Sequence, residues 1–358
     1  METDRYTTVM RVLLSVGILF QGCNSKFKCR NDNGAEVDWY ILYKYPNMDN
    51  RGLSYLYMDE RTNGWILSTE NINSASGTLA NTLKPLLDFY DRKIEGFGYM
   101  LYSDQPPEPY VAPSSFGHSK GVVMLDKKTG VWLSHSTPKF PAYRKKAFWP
   151  SSGNVNAQTF MCVTYSYDEF KEIGLQLKYI HAYSYDSEIP QTFHNELRCV
   201  AQRDCYPKKE PWFRVVTLTS SSGHNFLSFA KYKRFGDDLY SGLVAKAIGG
   251  NLYVKSWGKM RRPLSSNCSA SIPNHVYNVK KVKLPNTNPF SDTVDHSKWS
   301  VTSGGDWTCI ADMNREEKQM ERGGGAICTN DSVVGAAFYE MNAAYEQCSN
   351  HDARNREL

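Results

Sequence analysis

With 358 residues, 41% of them hydrophobic and 22% charged, the chain has ordinary globular composition, which excludes a disordered or collagen-like protein. Its length bounds it at one large domain or two of ordinary size, and a mean hydropathy of −0.52 argues against a polytopic membrane protein. A formal charge of +5, from 42 Lys and Arg against 37 Asp and Glu, permits binding to polyanions without demanding it.

Arg11 precedes an apolar run over residues 12–20, and small and polar residues follow through Ser25. Such a run is too short for a bilayer span, which needs about 20 residues, but it fits the hydrophobic region of a secretory signal peptide. Residues 1–25 are therefore expected to be a signal peptide, and the mature form is expected to carry no membrane span. Cysteine usage agrees. Of nine Cys, removal of that segment discards Cys23 and leaves Cys29, Cys162, Cys199, Cys205, Cys268, Cys309, Cys328 and Cys348. An even set in a secretory protein suits disulfides, and the sequence alone does not choose among their pairings. The absence of any Cys-x-x-Cys pair argues against a zinc ribbon. Two glycosylation sequons start at Asn267 and Asn330, the first weakened by Cys268 in its middle. A lysosomal or extracellular destination follows.

The elements come next in chain order. Residues 37–43 are aromatic and β-branched and read as a strand. Leu79, Leu83, Leu86, Leu87 and Tyr90 fall on one helical face, with Pro85 expected to kink or shorten the helix. Residues 121–125 and 131–133 flank a turn signal at 126–130 and read as a hairpin. Residues 166–174 form a short helix, and the polar stretch 184–211 is the candidate connection between two halves, 26–183 and 212–358. Strands are expected over 212–218, 252–257 and 275–279. Gly323-Gly324-Gly325 reads as a turn, because it lacks the Lys and Ser or Thr of a phosphate-binding loop. Residues 332–348 place Phe338, Met341, Tyr345 and Cys348 on one helical stripe. Strands and helices interleave, so the fold class is mixed α/β or α+β.

Eight histidines are present, and two of them share a tripeptide: His118-Ser119-Lys120 and His296-Ser297-Lys298. In a strand, residues i and i+2 point the same way, so each His and Lys would project together. Two such pairs meeting would give two imidazoles and two ammonium groups, a set suited to phosphoryl transfer. One His attacks phosphorus, the other protonates the leaving oxygen, and the lysines stabilise charge on the non-bridging oxygens. The bare tripeptide is within what composition supplies by chance, so its surroundings decide. His135, two residues after Leu133, is read as facing this site, whereas His224 and His275 read as structural and His181, His194 and His351 as surface residues.

Those surroundings resemble the deoxyribonuclease II family. The resemblance rests on Cys29-Arg30-Asn31-Asp32 with Val37-Asp38-Trp39, on Gly117-His118-Ser119-Lys120-Gly121 leading through residues 130–141, and on Asp295-His296-Ser297-Lys298-Trp299. Residues 306–315 and Arg322-Gly323-Gly324-Gly325 continue the last block, so nearly the whole mature chain is covered. Departures are small, with Ser119 where relatives often have Thr and Ala311 where Gly is common. The resemblance implies a phospholipase D-like fold, a pseudo-dimer of two similar α/β halves in one chain. It implies endonucleolytic cleavage of double-stranded DNA, with little sequence preference, through a phosphohistidine intermediate. The ends would be 3′-phosphate and 5′-hydroxyl, and no metal or other cofactor would be needed. His118, Lys120, His296 and Lys298 carry over as catalytic, with His118 as nucleophile and His296 as general acid, or the reverse. Asn314 would help hold the phosphate or orient a catalytic group; His135, from its place on the hairpin rather than from the resemblance, is read as contacting a DNA phosphate. Two other readings stay open: a catalytically silent secreted relative that binds DNA or a host partner, and a phosphodiesterase of the same mechanism acting on RNA or lipid. Monomer and homodimer both remain open.

Overall fold

The computed structural model describes residues 27–269 and 271–348; the signal-type segment, Cys23 and His351 lie outside them. Strands β1 (Cys29–Arg30) and β2 (Glu36–Val37) form a small ribbon. A first large sheet then takes β3 (Trp39–Lys44), β4 (Tyr55–Asp59), β5 (Ile66–Leu67), β6 (Gly98–Ser103), β7 (Lys120–Leu125), β8 (Thr129–His135), β9 (Gln158–Ser166) and β10 (Ser184–Glu188). Its spatial order is β10-β6-β7-β8-β9-β3-β4-β5, antiparallel throughout. The second large sheet holds β11 (Phe213–Thr219), β12 (Asn225–Lys231), β13 (Leu252–Lys255), β14 (Val276–Val282), β15 (Phe290–Ser291), β16 (Trp299–Thr302), β17 (Thr308–Ala311), β18 (Gly324–Thr329) and β19 (Asn342–Tyr345). Its order is β11-β12-β18-β17-β16-β13-β14-β15, with β19 on β14. The helices are α1 (Thr78–Asp91), α2 (Glu169–Ile180), α3 (Asn195–Ala201), α4 (Ala245–Ile248), α5 (Glu317–Met320) and α6 (Ser332–Glu340). The molecule is a mixed α/β protein with few helices, and none among the described residues is long and apolar enough to cross a membrane.

One five-strand series occurs twice. In the first sheet β6, β7, β8, β9 and β3 are neighbours in that order; in the second, β13, β16, β17, β18 and β12 repeat it, every adjacent pair antiparallel. Both sheets bury two faces, and the strand period of two sorts the side chains between them. Along β3, Trp39, Ile41 and Tyr43 enter the core shared by both sheets, whereas Tyr40 and Leu42 pack with Leu79, Leu83 and Leu86 of α1. The shared core includes Phe170, Ile173 and Leu177 of α2 and Val334 and Phe338 of α6, together with Trp299, Ile310 and Ile327 of the second sheet. Tyr240, Leu243 and Val244 cover that sheet's other face.

All eight expected cysteines pair: Cys29–Cys162, Cys199–Cys205, Cys268–Cys348 and Cys309–Cys328. The first closes 133 residues of chain and the third 80; loops of this size restrict the unfolded state and are worth about 2–4 kcal/mol each.

Several expected elements differ. Helix α1 runs through Pro85 unbroken; the carbonyl that Pro85 cannot bond belongs to Asn81 on the half-exposed side of the helix, where water can satisfy it. Residues 184–211 are not a bare connection. They contribute edge strand β10, paired with β6, and helix α3, pinned by Cys199–Cys205. The expected last helix stops at Glu340, and Asn342–Tyr345 pairs with β14 instead. Gly324 and Gly325 open β18 rather than forming a turn.

Candidate active site

Each His-x-Lys tripeptide sits where a loop enters the second strand of its series, β7 or β16. Both histidines are held by loops of the other sheet, and at corresponding positions. The main-chain N–H of His118 donates to Gly323 O at 2.8 Å, and its Nδ1 lies 2.7 Å from Asp312 O. The main-chain N–H of His296 donates to Ala157 O at 2.9 Å, and its Nδ1 lies 2.9 Å from Ser136 O. Ser136 and Asp312 are the first residues after β8 and β17; Ala157 and Gly323 are the last before β9 and β18. A carbonyl can only accept, so each Nδ1 carries a proton and each Nε2 is left to attack or to deliver a second one.

Buried amines hold the loops that supply those carbonyls. At the end of β3, Lys44 Nζ donates to Tyr45 O, Gly52 O and Asn154 O at 2.7, 2.7 and 3.1 Å. At the end of β12, Lys231 Nζ donates to Gln319 O, Met320 O and Arg322 O at 3.1, 2.8 and 2.8 Å. Three acceptors each satisfy a group that would be costly to bury alone. Chain approach is equally close: a Cβ on Gly117 or on Gly323 would stand 2.0 Å from Ile180 O.

Lys298 is buried and donates to His296 O at 2.7 Å, its amine 3.2 Å from both ring nitrogens of His296. No carboxylate pairs with it among the described residues. Lys120 instead pairs with Asp104 at 2.5 Å, and Asp104 also faces Arg322 at 3.4 Å and His118 Nε2 at 3.8 Å. Burial raises the Asp104 carboxyl, but the positive charges of His118, Lys120 and Arg322 outweigh it and hold the group well below the usual carboxylate range. Burial pushes His118 down to about 3, opposed by Asp104 and assisted by Lys120, Lys298 and Arg322. Burial, Lys298, Lys120 and His118 drive His296 well below the ordinary imidazole value, against the hydrogen bond with Ser136. Lys298 is driven down by burial, Lys120 and Lys255. Burial takes the Asp312 carboxyl up to about 7, although its Oδ2 accepts the Gly325 N–H at 3.1 Å. Mutual repulsion among these cations marks a place for an anion.

Of the residues expected from sequence, His118, Lys120, His296 and Lys298 come together here. Asn314 lies on the His296 side, where its Oδ1 accepts the Trp257 N–H at 3.1 Å; the Trp257 ring stands edge-on to His296 at 5.3 Å. His135 does not face solvent. It is 2% exposed between Phe140 and Phe160, and its Nδ1 accepts the Thr137 N–H. His181 is not a surface residue either: it caps α2, is buried and stacks on Phe116. Asn330 is exposed, whereas Asn267 is half-buried beside the Cys268–Cys348 disulfide. Sequence reasoning gave no role to Asp104, Arg322 or Trp257, nor to the carbonyls of Ser136 and Asp312. Arg322 had a signal, since it precedes the triple glycine; a main-chain carbonyl has none.

Residues 28–348 match the family model described as Deoxyribonuclease II. The chain is 36% identical over 360 residues to plancitoxin-1 of Acanthaster planci, covering 96% of this chain and 99% of that one. It is 37% identical over 334 residues to deoxyribonuclease-2-alpha of Rattus norvegicus (89% and 94% covered) and 35% identical over 347 residues to deoxyribonuclease-2-beta of Homo sapiens (94% and 96%).

Proposed function

The chain belongs to the deoxyribonuclease II family, and from that premise we propose that it is an endonuclease that degrades DNA in an acidic setting, lysosomal or extracellular. The route we propose is metal-independent and passes through a phosphohistidine, leaving 3′-phosphate and 5′-hydroxyl ends. One observation carries it: two imidazoles whose Nδ1 is tied to a carbonyl from the other sheet's loops, with Lys120 and Arg322 gathered on Asp104 beside His118 and Lys298 against His296. The repeated five-strand series supports reading the sheets as two phospholipase D-like halves of a pseudo-dimer.

In the first step one Nε2 attacks phosphorus, the P–O5′ bond breaks, and the other imidazole donates its Nε2 proton to the leaving oxygen. Water then attacks the phosphohistidine, losing a proton to the second imidazole, and the P–N bond breaks with its electron pair returning to nitrogen. The fixed side-chain cations supply the charge stabilisation on the non-bridging oxygens. Acid is required because an imidazole pushed below its ordinary value holds the donated proton only at low pH. Glycosylation at exposed Asn330 fits a secretory route.

Plasmid incubated with the protein at about pH 5 in EDTA tests this, a pH below the ordinary imidazole value. Nicking with 3′-phosphate ends, abolished in His118→Ala and in His296→Ala, is expected. Binding without nicking, cleavage of RNA alone, or loss of activity in EDTA would overturn the reading.

A further inference from the structure

The two imidazoles are held alike but face different surroundings. The end of β6 and the end of β13 are corresponding places in the repeated series, beside the tripeptides that lead into β7 and β16. After β6 the chain presents Asp104, whose carboxylate lies 3.8 Å from His118 Nε2. After β13 it presents Ser256 and then Trp257, whose ring edge faces His296 at 5.3 Å. The charged groups acting on His118 are Asp104, Lys120, Lys298 and Arg322; those acting on His296 are Lys298, Lys120 and His118. A carboxylate therefore faces His118, whereas the Lys298 amine lies against the His296 ring, with Gln158 Oε1 3.4 Å from its Nδ1.

We propose that Asp104 is the positioning residue that separates the two roles, making His118 the proton donor and leaving His296 as the nucleophile. This rests on the phosphohistidine reading above and reverses the order that the sequence favoured. A carboxylate beside Nε2 stabilises the imidazolium that must hold a proton for the leaving oxygen. A cation against the ring disfavours imidazolium, so the lone pair on His296 Nε2 stays available in acid. Lys298, with no carboxylate partner among the described residues, is placed to receive the phosphoryl oxygens as the P–N bond forms. Asp104 also holds Lys120 and Arg322, so those cations stay on the His118 side.

A nucleoside 3′-(p-nitrophenyl phosphate) separates the roles, because nitrophenolate leaves without a proton. On this diester His118→Ala is expected to release one equivalent of nitrophenolate in a burst and then stall, since the base for the second step is gone. His296→Ala is expected to give no burst. A burst from His296→Ala, or from neither variant, overturns the proposal. Wild-type protein unable to cut DNA in EDTA would instead signal failure of the functional reading itself. Asp104→Asn tests the positioning role. The basic limb of its pH–rate profile on DNA should move down by about one unit, a tenfold loss on that limb, with a smaller loss of the aryl burst rate and Asp104→Glu restoring the limb. Equal losses on DNA and the aryl ester would show a merely structural role and overturn it.

Discussion

Lys298 has the least compensated charge in the site. Its amine is buried against His296 and repelled by Lys120 and Lys255, and it meets the carbonyl and the ring of His296. Such a group contributes most when negative charge develops beside it, which happens in the transition state more than in bound DNA. Lys298→Met should therefore lower kcat by about 10²–10³, the range for removing a preorganised stabiliser of an oxyanion, with a smaller change in KM. Single-turnover cleavage of a labelled duplex measures this; a rise in KM at unchanged kcat would assign Lys298 to binding alone. His135, whose spacing after Leu133 suggested the site, packs its ring against Phe140 and Phe160.

The two histidines depend on loops that cross between the sheets. Ala157 and Gly323 hold their main chains, and Lys44 and Lys231 hold the loops that carry those two residues. Gly323 has no room for a side chain, because a Cβ would approach Ile180 O to 2.0 Å. Gly323→Ala should cost about 1–3 kcal/mol of stability, as other overpacking substitutions do. It should also lower activity beyond that loss, since the displaced carbonyl is the one that holds His118. Comparing kcat well below the melting temperature with the shift in that temperature separates the two effects; full activity in a destabilised protein would show that the carbonyl is dispensable. The same dependence explains the end of α6. Helical periodicity continues past Glu340, but pairing of Asn342–Tyr345 with β14 and the tie of Cys348 to Cys268 win over it.

At the scale of the whole molecule, buried ionisable groups set how stability follows pH. His118, His135 and His296 all have imidazole pKa values below the ordinary one, His118 at about 3. The unfolded chain therefore binds more protons than the native one between about pH 3 and 6.5, and their contribution is lost as pH falls through that window. Asp312, raised to about 7, acts in the opposite sense: its contribution is present in acid and is lost as pH rises through 7. His181 is lowered by burial as well, and these imidazoles together oppose Asp312, so the ligand-free protein should melt at a lower temperature at about pH 5 than at about pH 7.5. An oligonucleotide ending in 3′-phosphate brings the missing negative charge, and the rise in melting temperature it causes should be larger at the lower pH. A larger rise at neutral pH would contradict this assignment of the buried imidazoles.

Composition, the cysteine set, the hairpin at β7 and β8 and the two His-x-Lys tripeptides were legible in the chain itself, because they depend on local periodicity and on residue identity. Those features also carried the resemblance to the family. The register between the halves was not legible. Nothing in the sequence around Ser136 or Asp312 marks their carbonyls as the partners of His296 and His118, since every residue has a carbonyl and only tertiary packing aims it. Asp104 was invisible for a related reason, lying 14 residues before His118 and reaching it only because β6 pairs with β7. The sequence by itself thus determined which reactive groups the protein has; the tertiary structure decided which imidazole a carboxylate faces, because electrostatic role depends on distance and burial rather than on order along the chain.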